Sequence, residues 1–196
     1  MDAKVTQLHD FWFGPLDEAG FCAATQHGLW FTKSEATDAT CRERFGSLVD
    51  QALAGELDHW VDDDQGLVAL VILLDQFTRN IYRDTARAFA GDPKALALAQ
   101  ACIAAGRHQR LPAIHQVFLF MPLEHSEDLA VQEQCVSLFE ELAALTGSEQ
   151  VGNFGQYAKA HRDVIARFGR FPHRNRILGR DSSPEELAYL DEHGGF

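Results

Sequence analysis

Cysteine is sparse in this chain of 196 residues, and none of Cys22, Cys41, Cys102 and Cys135 forms a CxxC pair. Such spacing argues against a zinc knuckle and against a secreted disulfide framework, and predicts reduced thiols, mostly in a core. Long apolar runs are missing too. The longest, Leu67 to Leu74, falls far short of the roughly 20 residues of a membrane-spanning helix. With no basic and apolar leader at the start, the expectation is a soluble, cytoplasmic protein with no membrane partner. Positive charge is scarce as well. A net charge of -12 repels phosphate backbones, so no nucleic-acid partner is expected. No GxSxG elbow, GxxxxGK[ST] loop, GxGxxG turn or HExxH pair occurs. The sequence therefore gives no reason to expect a cofactor or a metal.

What is present is helical periodicity from end to end, without a run that alternates like a strand. Val5, Leu8 and Trp12 mark a first helix that stops at Gly14-Pro15. Cys41, Phe45, Leu48, Val49, Ala52 and Leu53 give a second apolar face, closed by Gly55. Residues 66 to about 82 are apolar nearly all round, which suits a central helix enclosed by others. Asp92-Pro93 and Leu111-Pro112 start further helices, with Asp92 available as an N-cap. Two more helices follow, from about Ser126 to Leu145 and up to Gly169. Ser183, Pro184 and Glu186 then spell a capping box. At 46% hydrophobic content the chain suffices for one domain over residues 1–196, all-α, with stacked antiparallel helix pairs as a plausible architecture.

Cationic residues are confined to particular stretches: none lies between Arg44 and Arg79, or between Arg110 and Lys159. Residues 166–180, "ARFGRFPHRNRILGR", hold five arginines and no acid. Helix-end placement and surface pairing account for some of this charge. Three segments are not covered by that account. In "LLDQFTRNIYR", Asp75, Gln76, Arg79, Asn80 and Arg83 follow an apolar run at helical spacing, and buried charge needs partners. In "FMPLEHSEDL", Glu124, His125, Ser126, Glu127 and Asp128 crowd a helix entrance. Finally, His161 sits on the apolar stripe of its helix beside Arg162, and His173 follows Phe171-Pro172.

These segments, "LLDQFTRNIYR", "FLFMPLEHSEDL" and "HRDVIARFGRFPHRNRILGR", resemble the hallmarks of a bacterial family catalogued as domain of unknown function 924. "FWFG" at 11–14, "GELDHW" at 55–60 and "ARAFAGDPKAL" at 86–96 extend the resemblance over almost the whole chain. It implies a tetratricopeptide-repeat-like stack of antiparallel helix pairs and no assigned activity. Thr78 stands where the family pattern leads one to expect proline, and without proline the helix need not bend there.

Three readings of the polar segments stay open. If they converge, Arg79, Arg83, Arg162, Arg170 and Arg174 offer planar donor forks to an anion, with Asp75, Glu124, His125 and His173 completing a pocket for a small anionic molecule or an acidic peptide. Trp12 and Phe171 are candidate walls. An acid/base enzyme would use His161 and Glu124, with His173 as a further candidate, in the same pocket. In the third reading the charges are structural ion pairs in a protein–protein interaction scaffold. Metal binding by His125, His161, His173 and Glu124 is disfavoured by ligand spacing and by the neighbouring arginines. Nothing in the sequence bears on oligomeric state.

Overall fold

The computed structural model describes residues 2–196, and among these every regular element is helical, apart from an isolated bridge between Leu16 and Cys22. The chain gathers into two compact units: one runs through Arg83 and resumes at Arg87–Pro122, and the other comprises Asp84–Ala86 and Leu123–Phe196.

In the first unit, helices α1 (Ala3–Trp12), α2 (Gln26–Phe31) and α3 (Glu35–Ala54) precede α4 (Asp64–Ile72). Asp2 and Ser34 cap α1 and α3 by accepting from Lys4 and Thr37 backbone N–H groups. Every residue from Leu67 to Leu74 is buried, so the apolar run is the unit's central helix, as its lack of a polar face requires. Trp12, Phe13, Trp30, Phe77 and Phe118 pack on one another in tilted and edge-on ring contacts, such as Trp12 on Phe77 at 5.1 Å and Trp30 on Phe118 at 4.7 Å.

That helix does not continue with α-helical winding. A π-helical turn, Leu73–Phe77, separates α4 from α5 (Thr78–Ile81). Thr78 in place of proline therefore leaves an irregular helix all the same. A wide turn frees carbonyls from their usual i+4 partners, and side chains supply the donors. Thr78 Oγ1 donates to Leu74 O at 2.8 Å, and Arg79 Nη1 donates to Asp75 O at 2.8 Å. Gly91 presses on the same turn: a Cβ there would stand 2.1 Å from Leu74 O, which leaves room for glycine alone. Gly91 is also the N-cap of α6 (Asp92–Ala104), without a side-chain cap. Asp92, expected as the cap, lies one position inside the helix and turns its carboxylate to Arg79. Helix α7 (Ala113–Glu124) follows, with Pro122 within it.

The second unit is built on a helical hairpin, α8 (Leu129–Thr146) and α9 (Glu149–Phe168). Asp128 caps α8 by accepting from Ala130 and Val131 N–H, and Ser148 caps α9 by accepting from Val151 N–H. Gly147 and Gly169 close the two helices in the left-handed conformation. Cys135, Phe139 and Leu142 face inward on α8, and Val151, Ala158 and Ile165 do so on α9. Beyond α9 the chain turns through Phe171 and Pro172 into α10 (Asn175–Leu178) and α11 (Pro184–His193). Val164, Ile165 and Phe171 form a small core there, with Phe168 and Tyr189 packed on it. The capping box at Ser183 and Glu186 forms in full.

Candidate functional site

Each arginine expected to serve a pocket in the first unit is locked to an acid of that unit. Arg79 holds Asp92 through two parallel bonds of 2.7 and 2.9 Å and reaches Asp75 Oδ1 at 3.4 Å. Asp75 is fully buried and also accepts from Gln76 Nε2 at 2.6 Å. Burial works against the Arg79 charge, but Asp75 and Asp92 outweigh it and hold the guanidinium above its ordinary range. Arg83 grips Asp38 at 2.7 and 2.8 Å, and Asn80 Nδ2 donates to the same carboxylate at 2.8 Å. Desolvation pushes the Asp38 carboxyl up, yet these hydrogen bonds win and its pKa is lowered. This is a structural lattice, with the planar forks matched to carboxylates.

The second unit pairs most of its cations in the same way. Arg170 binds Glu186 at 2.6 and 2.8 Å and also donates to Asp181 O. The Arg170 contact, reinforced by Ser183 N–H and Asn175, lowers the Glu186 pKa to about 2. Arg162 pairs with its exposed sequence neighbour, Asp163. Sequence reasoning missed the keystone of this unit, Arg180. Its guanidinium takes both oxygens of Glu127 at 2.7 and 2.9 Å, Phe171 O at 3.0 Å and Asn175 Oδ1 at 2.9 Å. Glu127 in turn accepts from Phe171 N–H at 2.8 Å. The turn after α9 is thereby fixed from both sides. The signal available in the sequence was the spacing of Arg180 directly after Gly179, where a chain reversal can bring it back on the turn.

Five of the expected residues do come together in this unit: Glu124, His125, His161, His173 and Arg174. His161 is at the centre, 7% exposed, with Nδ1–H donating to Tyr157 O one helical turn back at 2.9 Å. Glu124 Oε1 stands 3.3 Å from the same nitrogen. Donation from Nδ1 makes Nε2 the lone-pair nitrogen. Burial lowers the His161 pKa to about 3, and His125, His173 and Arg174 add to the effect by like charge. The ring is therefore neutral at pH 7, and its approach to Glu124 is a hydrogen-bond geometry more than an ion pair. Arg174 is buried, lies 4.5 Å over the Phe171 ring and donates from Nη2 to His125 O at 3.0 Å. Phe171 stands edge-on to His161 at 5.6 Å.

A shallow groove of about 210 Å³ between α8 and α9 is lined by Gly152, Gly155 and Ala143, and its charged pair, Glu140 and Lys159, is internally matched at 2.8 Å. It brings no set of donors together. Among the described residues, no group of three or more histidines, cysteines or acids could hold a metal ion, and no helix is long and apolar enough to cross a membrane.

Fold and site together define an all-helical protein with most of its arginines locked in carboxylate pairs and a histidine-centred polar cluster in its second unit. The chain belongs to the family described as bacterial protein of unknown function (DUF924), whose model matches residues 8–194. It is similar to the solved structure of a protein of unknown function from Agrobacterium tumefaciens, with 36% identity, 97% of this chain and 98% of that chain covered, and a TM-score of 0.81. No curated protein matches it.

Proposed function

We propose that the second unit binds a small acid, free or as part of an acidic peptide, in the cluster formed by His161, His173 and Arg174. The observation that carries this is the 2.9 Å contact of His161 Nδ1 with Tyr157 O: with Nδ1–H donating there, Nε2 is left as the acceptor of a ring on which His125, His173 and Arg174 act by charge. Nε2 accepts from a ligand hydroxyl or amide N–H, while Arg174 draws the acid group. The ligand class is therefore a hydroxy acid, a peptide segment or a monobasic phosphate, and a bare carboxylate lacks the donor. The acid/base alternative has the Glu124–His161 approach in its favour. Against it, a ring with its pKa near 3 is a weak proton acceptor at neutral pH. The α8–α9 hairpin is the feature that favours a tetratricopeptide-like reading of the architecture.

The test is a titration of isotope-labelled protein with lactate, dihydrogen phosphate and acetate at fixed ionic strength, read at the histidine ring nitrogens. Lactate and phosphate are expected to move the His161 Nε2 signal, and acetate to move it less. Silence of His161 and His173 toward all three would overturn the proposal.

A further inference from the structure

The cluster is covered by a ring from its own chain. Phe196 stacks on His161 with centroids 3.7 Å apart and planes 19° from parallel, and it meets Phe171 edge-on at 6.1 Å and His173 at 6.0 Å. This is a close aromatic contact on a buried histidine, yet the Phe196 side is 52% exposed. Phe171, by contrast, is sealed in the core. One face of His161 is thus covered by a half-exposed ring.

The two residues before Phe196 explain how it gets there. Gly194 ends α11 at φ 72° and ψ -159°, a conformation that side chains exclude. Gly195 runs against His173 so closely that a Cβ would lie 2.6 Å from His173 Cβ. Glycine at both positions lets the backbone pass over one histidine and lay a phenyl ring on the other. The same pair makes the segment easy to lift, because glycine gains the most conformational freedom on release.

We infer that the face of His161 is a seat for an aromatic ring carried by the acidic ligand, and that residues 194–196 form a strap whose Phe196 occupies the seat until such a ligand displaces it. The inference rests on the proposed binding of an acid with a hydrogen-bond donor at this cluster, and it adds an aryl group to that ligand class. Phe171 and His173 flank the seat, and Arg174 lies over the Phe171 ring. Stacking on a ring that is already buried needs no rearrangement of the core, only exchange of one aromatic cover for another.

The experiment compares the full chain with its Phe196→Ala variant, titrating each with lactate and with 3-phenyllactate, which differ by the aryl group. In free wild type the His161 ring protons are expected upfield, shifted by the Phe196 ring current, and the variant loses that displacement. Phenyllactate should restore it in the variant and lactate should not. If the strap is seated nine-tenths of the time, the variant binds phenyllactate about tenfold more tightly than wild type. Equal phenyllactate affinity in the two proteins, or phenyllactate binding the variant no better than lactate, overturns the seat; lactate binding in that case leaves the simpler acid site standing. Binding of phenyllactate alone supports the seat and removes the acid-led reading. Silence toward both ligands overturns both.

Discussion

Arg79 and Arg174 are both enclosed arginines, and their surroundings differ. Around Arg79 the acids are matched to the fork, two oxygens of Asp92 to two nitrogens, with Asp75 behind and the π-helical turn supplying a carbonyl. Arg174 donates to a backbone carbonyl, His125 O, and lies over the Phe171 ring. The first arrangement is what charge burial requires for stability, and the second stands beside a buried histidine ring that a half-exposed phenyl ring covers. Arginine content alone did not distinguish them. The partner's geometry does.

The largest effect expected from this contrast is at Arg79. Arg79→Ala leaves Asp75 and Asp92 without their cation and should lower stability by about 3–5 kcal/mol in urea unfolding. A loss under 1 kcal/mol would show that the lattice is not structural. Arg180→Ala removes bonds to Glu127, Phe171 O and Asn175 at once and should lose about 2–3 kcal/mol, in the range of charged hydrogen bonds. Gly91→Ala drives a methyl into Leu74 O and is expected to lower stability by about 1–3 kcal/mol as an overpacked contact, read as a lower thermal midpoint. At the small end, Arg162→Ala should change stability by less than about 0.5 kcal/mol, since Asp163 is exposed beside it.

Acid should act on both units. His115 and His161 have pKa values lowered to about 3 by burial, from 6.5. Such groups contribute stability that is complete above pH 6.5 and is lost as pH falls toward 3, because the unfolded chain takes up the protons first. Each contributes a slope of up to about 1.4 kcal/mol per pH unit inside that window. Glu186, lowered to about 2, adds a second loss between about pH 4.5 and 2. Urea midpoints at pH 7, 5.5 and 4 should therefore decrease steadily, and His115→Phe should flatten the upper part of the curve. A flat profile between pH 6.5 and 4 would contradict the buried neutral histidines.

Much of the fold was legible because its signals are local. Ser183, Pro184 and Glu186 state a helix start within four residues, Gly169 states a stop, and the run at 67–74 has no polar face to expose. The π-helical turn was not legible: the approach of Gly91 and the donors of Thr78 and Arg79 that accompany it are contacts sequence periodicity does not record. Asp92 reads as a cap from its place before Pro93, and only the packing shows it paired with Arg79. For the site, His161 stood out as a polar residue on an apolar stripe, and Glu124, His125, His173 and Arg174 stood out by composition. Phe196 gave no signal at all, since a stacking partner outside any helix has no period to betray it. Which arginines were already paired was hidden by sequence distance, as with Arg180 and Glu127.

On the proposed function, His161 presents a fixed, neutral acceptor to a ligand. The most direct test of this is long-range nitrogen–proton NMR of the histidine rings at pH 6, with and without lactate. A neutral His161 carrying its proton on Nδ1 is expected, with an Nε2 signal that shifts as lactate is added. A protonated ring, a proton on Nε2, or an Nε2 signal indifferent to lactate would contradict it.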